Sequence, residues 1–445
     1  MDRTRNDFQM NATYTLEQDL PLELVPRRCT TQDYQPIQVP SFQVRDQFIA
    51  YASPESTYAV TRQLIQSARH SILIGIYDFT AGHMRDLLLD ALRRGVKVSL
   101  MLDLDNLKGE NELYEALVGA GVDGVPAPSC ASRRARYFPS CHEKVIVIDD
   151  LWSLVQSGNY TEHSIPENEE DGGDPNHFHK GNRDMGIAVR SAPLAAFFTR
   201  VLRGDMQLEI DASLEEGLAL EVPPAPRFTL EAPRPPRLPP ELFPSRRYLP
   251  RRELRVLPVL SPDNYMAVVP DFLASARQSI SIEQQYIRAD QPQVRRLLTA
   301  ISDARQRNPQ LTVRIVLARP FGSDFAKERR NLQELESFGL QLGRHIRYLN
   351  PQYFVHCHNK LIVVDRQAVL ISSQNWSDFA VTANREAGLV LYAPALARYY
   401  AKIFGLDWET GLQSLVRESP LETLAGLEAA PVEMEPVSLG DYMEV

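Results

Sequence analysis

One short pattern occurs twice in this chain at matched spacing. His142-Glu143-Lys144 is followed by Asp149, five residues after the lysine, and then by Ser157-Gly158-Asn159. His358-Asn359-Lys360 is followed by Asp365 at the same distance, and then by Ser373-Gln374-Asn375. A single His-x-Lys carries no information in 445 residues. A second copy with the same Asp and Ser-x-Asn offsets implies a duplicated unit, and one site assembled from two halves.

The duplication reaches well beyond the motifs. Ser53-Pro54 returns as Ser261-Pro262, and Ser67-Ala68-Arg69 with Ser71-Ile72 returns as Ser275-Ala276-Arg277 with Ser279-Ile280. Asn182-Arg183-Asp184 with Gly186 returns as Asn384-Arg385-Glu386 with Gly388, and a helical stretch ending at Asp205 matches one ending at Asp407-Trp408. Within each copy helical and strand periodicities alternate. Val60, Leu64, Ile65 and Ala68 share a helical face, and the apolar run Ser71–Tyr77 reads as a buried strand. Met84, Leu87, Leu88, Ala91 and Leu92 form the next helical face, Gly95 sits at its C′ position, and Val96–Leu102 is a further strand. In the second copy Val268, Phe272, Leu273 and Ala276 precede the strand Ile280–Ile282. Such alternation predicts an α/β fold in which helices cover a sheet.

The expected organisation is an N-terminal extension (1–45), a first half (46–212), a linker (213–252), a second half (253–412) and an acidic tail (413–445). The linker is rich in Pro and Arg from about Glu221 to Arg252, a density of proline that excludes a helix or a central strand. The extension and the tail have no counterpart in the repeat. Only the first copy carries an acidic, polar insert, Glu162–Lys180, with His163, His177 and His179. Its histidine spacing matches no standard metal-ligand pattern, so a loop on the rim of the cleft is expected.

A net charge of −9 argues against a protein that coats nucleic acid or anionic membrane with a basic face, while leaving room for a locally basic cleft. Arg133, Arg134 and Arg136, just before the first motif, could rim such a cleft. No apolar run approaches the ~18–20 residues of a membrane helix, and the N-terminus lacks the apolar region of a secretory signal. Cys29, Cys130, Cys141 and Cys357 are too scattered for a disulfide framework or a zinc pattern, which predicts a reducing cytoplasmic setting, peripheral to a membrane at most. No cofactor and no metal are expected.

The repeated residues suit phosphodiester chemistry. Side chains alternate along a strand, so His142 and Lys144 share a face, as do His358 and Lys360, with Cys141, Cys357, Asp149 and Asp365 directed away from it. The aspartates are therefore expected to fix structure. Ser157 with Asn159, and Ser373 with Asn375, can aim at one phosphate. Cleaving a phosphodiester requires a nucleophile, a proton donor for the leaving alkoxide and positive charge for the phosphoryl oxygens. Two histidines can divide the first two tasks, and two lysines with nearby amides and hydroxyls meet the third without a metal. A carboxylate on each imidazole would set its tautomer, and Asp184 and Glu386 are the candidates. Tyr160 and Trp376, which follow the motif asparagines, either contact substrate or pack.

The paired His-x-Lys-(x)4-Asp with downstream Ser-x-Asn resembles the phospholipase D superfamily, over about four-fifths of the chain. The resemblance implies two α/β sandwich halves about a pseudo-two-fold axis, as a monomer with one shared site. It also implies a covalent phosphohistidine intermediate, with His142 as nucleophile and His358 as general acid and then base. Carboxylates are then expected crosswise, Glu386 toward His142 and Asp184 toward His358. Ser157-Gly158 and Ser372-Ser373 depart from the family's usual Gly-Ser order, which leaves the phosphate-loop detail open.

Three functions follow from the resemblance. The first is a metal-independent phosphodiesterase that hydrolyses or transfers phosphatidyl groups of phospholipid. The second is a nuclease with the same paired histidines, for which Tyr77-Asp78-Phe79-Thr80 and the following Met84–Leu102 segment resemble nuclease-like members. A silent binding scaffold is third, disfavoured by the intact motif residues in both copies.

Overall fold

The computed structural model describes residues 29–104, 109–167, 181–215, 243–320 and 325–414. The first copy runs β2 (Phe48–Ser53), α1 (Thr57–Ser67), β3 (Ser71–Ile76), α2 (Gly82–Arg93), β4 (Lys97–Leu102), α3 (Glu110–Gly119), β5 (Asp123–Pro126), β6 (Val145–Ile148), β7 (Trp152–Gln156), β8 (Asp184–Arg190) and α4 (Ala192–Glu215). The second runs β10 (Leu254–Ser261), α5 (Tyr265–Ala274), β11 (Ser279–Gln284), α6 (Pro292–Arg307), β12 (Thr312–Leu317), α7 (Phe325–Ser337), β13 (Ile346–Tyr348), β14 (Lys360–Val364), β15 (Ala368–Ser372), α8 (Asp378–Thr382), β16 (Glu386–Leu391) and α9 (Pro394–Thr410). Two short strands complete the set, β1 (Phe42–Val44) and β9 (Arg246–Tyr248).

The strands form two sheets of identical plan. One is ordered β5-β4-β3-β6-β7-β8-β2-β9 and the other β13-β12-β11-β14-β15-β16-β10-β1. Within each, the first three strands are parallel and the remainder antiparallel. Apolar residues of the motif strands serve two cores, because alternate side chains leave opposite faces. Val145 and Val147 of β6 enter a central core with Leu361 and Val363 of β14, together with residues of α4 and α9. Ile146 and Ile148 face an outer core under α1 and α2, and Ile362 and Val364 face its counterpart under α5 and α6. The halves therefore meet sheet to sheet.

Both motif strands end in the same hairpin. Asp149 and Asp150, and likewise Asp365 and Arg366, have φ between 50° and 55°, as a two-residue turn of the hairpin type requires. The Asp149 carboxylate accepts the backbone N–H of Arg69, His70 and Ser71 at 2.7–3.2 Å. Asp365 does the same for Arg277, Gln278 and Ser279 at 2.6–2.9 Å. Each aspartate thus ties the end of the motif strand to the start of the neighbouring strand, away from the site.

Two expectations need correction. Residues up to 45 do have a counterpart: β1 closes the edge of the second sheet against β10, as β9 closes the first against β2. An edge strand suits both segments, since each lies beside a stretch that cannot enter a sheet centre. Cys29 and Cys130 form a disulfide across 101 residues, with Cα atoms 5.8 Å apart, while Cys141 and Cys357 are free and buried. The scatter of the cysteines along the sequence therefore does not keep this pair from meeting. Most of the proline-rich linker, residues 168–180 of the insert and the acidic tail lie outside the described residues. Among the described residues no helix is long and apolar enough to cross a membrane.

Candidate active site

The residues just before each motif strand run beside the other half. His142 N–H donates to the Arg385 carbonyl at 2.8 Å and Arg385 N–H to the Ser140 carbonyl at 2.9 Å. In mirror fashion Arg183 N–H donates to the His356 carbonyl at 2.9 Å and His358 N–H to the Arg183 carbonyl at 3.2 Å. This backbone pairing sets Glu386 beside His142 and Asp184 beside His358. The distances are 2.9 and 3.0 Å from His142 Nδ1 to the two Glu386 oxygens, and 3.1 Å from His358 Nδ1 to Asp184 Oδ1. With carboxylate at Nδ1, each ring carries its proton there and presents Nε2 to the space between the halves. The two ring centroids are 6.4 Å apart.

Buried ion pairs clamp that arrangement, again crosswise. Arg183 bridges Glu55 of its own half at 2.8 Å and Asp407 of the other at 2.9 Å. Arg385 bridges Asp263 at 2.6 Å and Asp205 of the other half at 2.8 Å. Each guanidinium lies over two aromatic rings: Phe243 and Phe354 for Arg183, Tyr34 and Phe138 for Arg385. The segments bearing Tyr34 and Phe243 are those that supply β1 and β9. The edge strands and the site are therefore built by the same two stretches of chain.

Both lysines are fully buried and hydrogen-bond the carbonyl of their own motif histidine, Lys144 to His142 at 2.7 Å and Lys360 to His358 at 2.8 Å. Lys144 also lies over the Tyr77 ring, which meets His142 edge-on at 4.7 Å, and Lys360 donates to Gln285 Oε1 at 3.3 Å. Burial and then the two lysines and His358 hold the His142 pKa well below the usual histidine value. Burial and Lys360 also lower that of His358, but Asp184 opposes them. Burial works to raise the Asp184 carboxyl, and His358, Lys360 and Ser157 outweigh it and hold Asp184 below the usual range. Neutral His142 and a more readily protonated His358 are the states a nucleophile and an acid require.

The polar residues after the motif strands find different partners. Ser157 Oγ donates to Asp184 at 2.7 Å, and Ser373 Oγ donates to Glu386. The β7–β8 and β15–β16 pairings bring each serine to its carboxylate, so both hydroxyls brace the orienting acids. Asn159 donates to Asp78. Asn375 is buried, 2 % exposed, and the position of Asp78 is Tyr286 in the second half. Tyr160 and Trp376 pack: Tyr160 lies edge-on to Phe79, and Trp376 Nε1 donates to Tyr265 at 3.1 Å.

The residues between His and Lys mark a second asymmetry. Asn359 donates to Glu283 of β11. In the first half the position of Glu283 is Gly75, and a Cβ there would sit 3.0 Å from Glu143 Oε1. One buried carboxylate has thus moved from the neighbouring strand to the motif itself. Burial, with Asp205, raises the Glu143 pKa to about 8. Sequence reasoning missed Tyr77, Gln285, Glu143 and Glu283. The first two directly follow β3 and β11, the strands paired with the motif strands, and that position was the available signal.

The family model described as "Cardiolipin synthase, PLD-like domain" matches residues 61–173 and 269–408, together more than half of the chain and one segment per motif. The chain belongs to the phospholipase D superfamily. Its similarity to curated members is partial. It is 33% identical over 110 residues to the phospholipase D of Rickettsia bellii (strain RML369-C), covering 24% of this chain and 49% of that protein. It is 28% identical over 127 residues to the phospholipase D of Rickettsia typhi (strain ATCC VR-144 / Wilmington), covering 28% of this chain and 56% of that one. The chain thus spans about half the length of the curated relatives it matches. Among solved structures, the phosphatidylserine synthase of Haemophilus influenzae Rd KW20 superposes with a TM-score of 0.57 at 16% identity, over 88% of this chain and 96% of that one. That superposition shows likeness of fold alone, over nearly the whole chain.

Proposed function

We propose that this phospholipase D-type chain is a metal-independent phosphodiesterase that hydrolyses or transfers phosphatidyl groups through a phosphohistidine. The carrying observation is the facing pair of imidazoles, each held at Nδ1 by a carboxylate from the opposite half. With ring centroids 6.4 Å apart, the two imidazoles can serve one phosphodiester, His142 at phosphorus and His358 at the leaving oxygen. His142 Nε2 attacks phosphorus, the P–O bond to the leaving group breaks, and protonated His358 gives its proton to the departing alkoxide. Neutral His358 then takes a proton from water or an alcohol, whose oxygen attacks phosphorus as the N–P bond breaks. Lys144 and Lys360 supply the positive charge that favours the phosphoryl oxygens in both transition states.

Wild type, His142→Ala and His358→Ala, assayed on phosphatidylglycerol vesicles and on single- and double-stranded DNA, test this directly. Turnover of lipid by wild type, its loss in both variants, and a phosphoprotein trapped only in His358→Ala are expected. Activity in the variants equal to wild type rejects the shared site. Cleavage of DNA but not lipid moves the same chemistry to a nuclease.

A further inference from the structure

The pseudo-symmetry fails at the rim. Next to the catalytic centre the second half forms a pocket lined by Gln285, Tyr286, Arg288, Arg319, Lys327 and His356. Its inner wall is shared with the centre, since Gln285 accepts a hydrogen bond from Lys360 and His356 lies two residues before His358. Three cationic side chains converge there. Arg288 is held over the Tyr286 ring at 4.5 Å, Arg319 is half-buried, and Lys327 is exposed on the first turn of α7. The pocket's one carboxylate, Glu328, accepts the Tyr348 hydroxyl at 2.7 Å and the Asn331 amide at 3.4 Å.

Among the described residues, the equivalent positions of the first half carry no cation. Thr80 stands where the second half has Arg288, as the matching hydrogen bonds to Tyr160 and Trp376 show. Asp103-Leu104 stands where it has Ala318-Arg319, and Asp103 is occupied by Ser129 and the Cys141 N–H. Asp78 adds a further carboxylate on that side.

We infer that the pocket of Arg288, Arg319 and Lys327 is a subsite for a second phosphate, carried on the polar head of a phospholipid substrate whose scissile diester lies between His142 and His358. Guanidinium pairs suit phosphate because their N–H groups form parallel charge-assisted hydrogen bonds. The one-sidedness selects a head group over a polynucleotide. A nucleic-acid strand carries phosphates on both sides of the scissile one and is tracked by cations along its length, whereas among the described residues the positions that carry Arg288 and Arg319 in the second half carry Thr80 and Leu104 in the first. Burial, with His358 and Lys360, lowers the His356 pKa to about 3, so the wall nearest the centre stays neutral.

This subsite rests on the phosphatidyl reading, and the test separates the two. Full-length wild type, Arg288→Gln, Arg319→Gln, Arg319→Lys and Lys327→Gln are assayed on phosphatidylcholine vesicles doped with phosphatidylglycerol or with phosphatidylglycerol phosphate, and on an oligonucleotide. The quantity read is the ratio of kcat/KM for the phosphorylated lipid to that for the unphosphorylated one. Wild type should favour the phosphorylated lipid, and each Arg→Gln change should lower the ratio about tenfold, the size of one charge-assisted hydrogen bond. Arg319→Lys, which keeps the charge but not the fork, should fall between wild type and Arg319→Gln. A wild-type ratio near one, or a ratio the variants do not move, overturns the subsite while lipid turnover keeps the phosphatidyl reading intact. Oligonucleotide cleavage without lipid turnover overturns both. Should an arginine variant lose its melting transition, Lys327→Gln, at an exposed position, carries the test.

Discussion

Glu386 of the second half lies 2.9 Å from Nδ1 of His142 in the first, and Ser373 braces the same carboxylate. The nearest chemical equivalent in the mirror position is shorter by one methylene, Asp184 at 3.1 Å from His358. Glu386 is thus a positioning residue for His142. Glu386→Gln retains the shape but can donate to Nδ1 and stabilise the wrong tautomer. A fall in kcat of roughly 10²–10⁴-fold is expected, the range supplied by general acid–base catalysis, with KM little changed and partial recovery in Glu386→Asp. Steady-state kinetics with a melting curve for each variant checks this; a loss confined to KM would assign Glu386 to substrate binding.

The pH dependence follows from the two imidazoles. The proposed mechanism needs His142 neutral and His358 protonated. The His142 pKa lies well below the ordinary value of 6.5, so its limb falls far into acid. The His358 pKa also lies below 6.5, so in the free enzyme the active form is lost as pH rises through that lower value. kcat/KM, which reports the free enzyme, should therefore decline on the alkaline side from below pH 6.5. The kcat limb should lie higher, because bound phosphate favours the imidazolium. A flat kcat/KM profile to about pH 8 would assign the proton donor to another group.

Glu143 makes stability depend on pH in the same region. Its folded pKa, about 8, exceeds the ordinary 4.5. A raised folded pKa means the native state holds the proton more tightly than the unfolded chain does. That contribution is complete below 4.5 and is lost as pH rises through about 8. Glu143→Gln keeps the neutral shape at every pH. Its melting temperature should match wild type near pH 5 and exceed it at pH 8, by up to a few kcal/mol in stability. An equal difference at both pH values would show that Glu143 does not titrate with folding.

What the sequence discloses and what it hides have physical reasons. The motif residues, the α/β alternation and the structural aspartates are legible because duplication repeats each local pattern. The strand parity that turns Asp149 away from His142 is a local property too. The crosswise carboxylates are legible only through family resemblance, since no periodicity states which half's acid meets which histidine. The destination of Ser157 and Ser373 depends on the pairing of β7 with β8 and of β15 with β16, and is invisible locally. Tyr34, bonded to Arg385 across 351 positions, and the Cys29–Cys130 pair belong to a segment that resembles nothing in the repeat. Only tertiary structure shows that it does for one half what residues 243–248 do for the other.

Gly388 tests the packing of the sheet behind Glu386. A Cβ there would meet Ser372 Cβ at 2.5 Å and the Ile371 carbonyl at 3.0 Å, so the neighbouring strand itself must shift. Gly388→Ala should cost about 1–3 kcal/mol, and because Gly388 lies two residues from Glu386 it should also lower kcat. Thermal unfolding and turnover should fall together. Full activity with unchanged melting would mean that β15 and β16 separate freely, against the buried register between them.

The Cys29–Cys130 bridge joins the N-terminal segment to the loop before the first motif, and that segment delivers Tyr34 to Arg385 at 2.7 Å. Closing a loop of about 100 residues restricts the unfolded chain and stabilises by roughly 2–5 kcal/mol. Cys29→Ser should lower the melting temperature under oxidising conditions and leave it unchanged, relative to wild type, in excess reductant. Arg385 precedes Glu386, so loosening the segment should also reduce turnover while His142 and His358 stay intact. Equal melting temperatures for wild type and Cys29→Ser in the oxidised state, with two titratable thiols in native wild type beyond Cys141 and Cys357, would show that the bridge does not form.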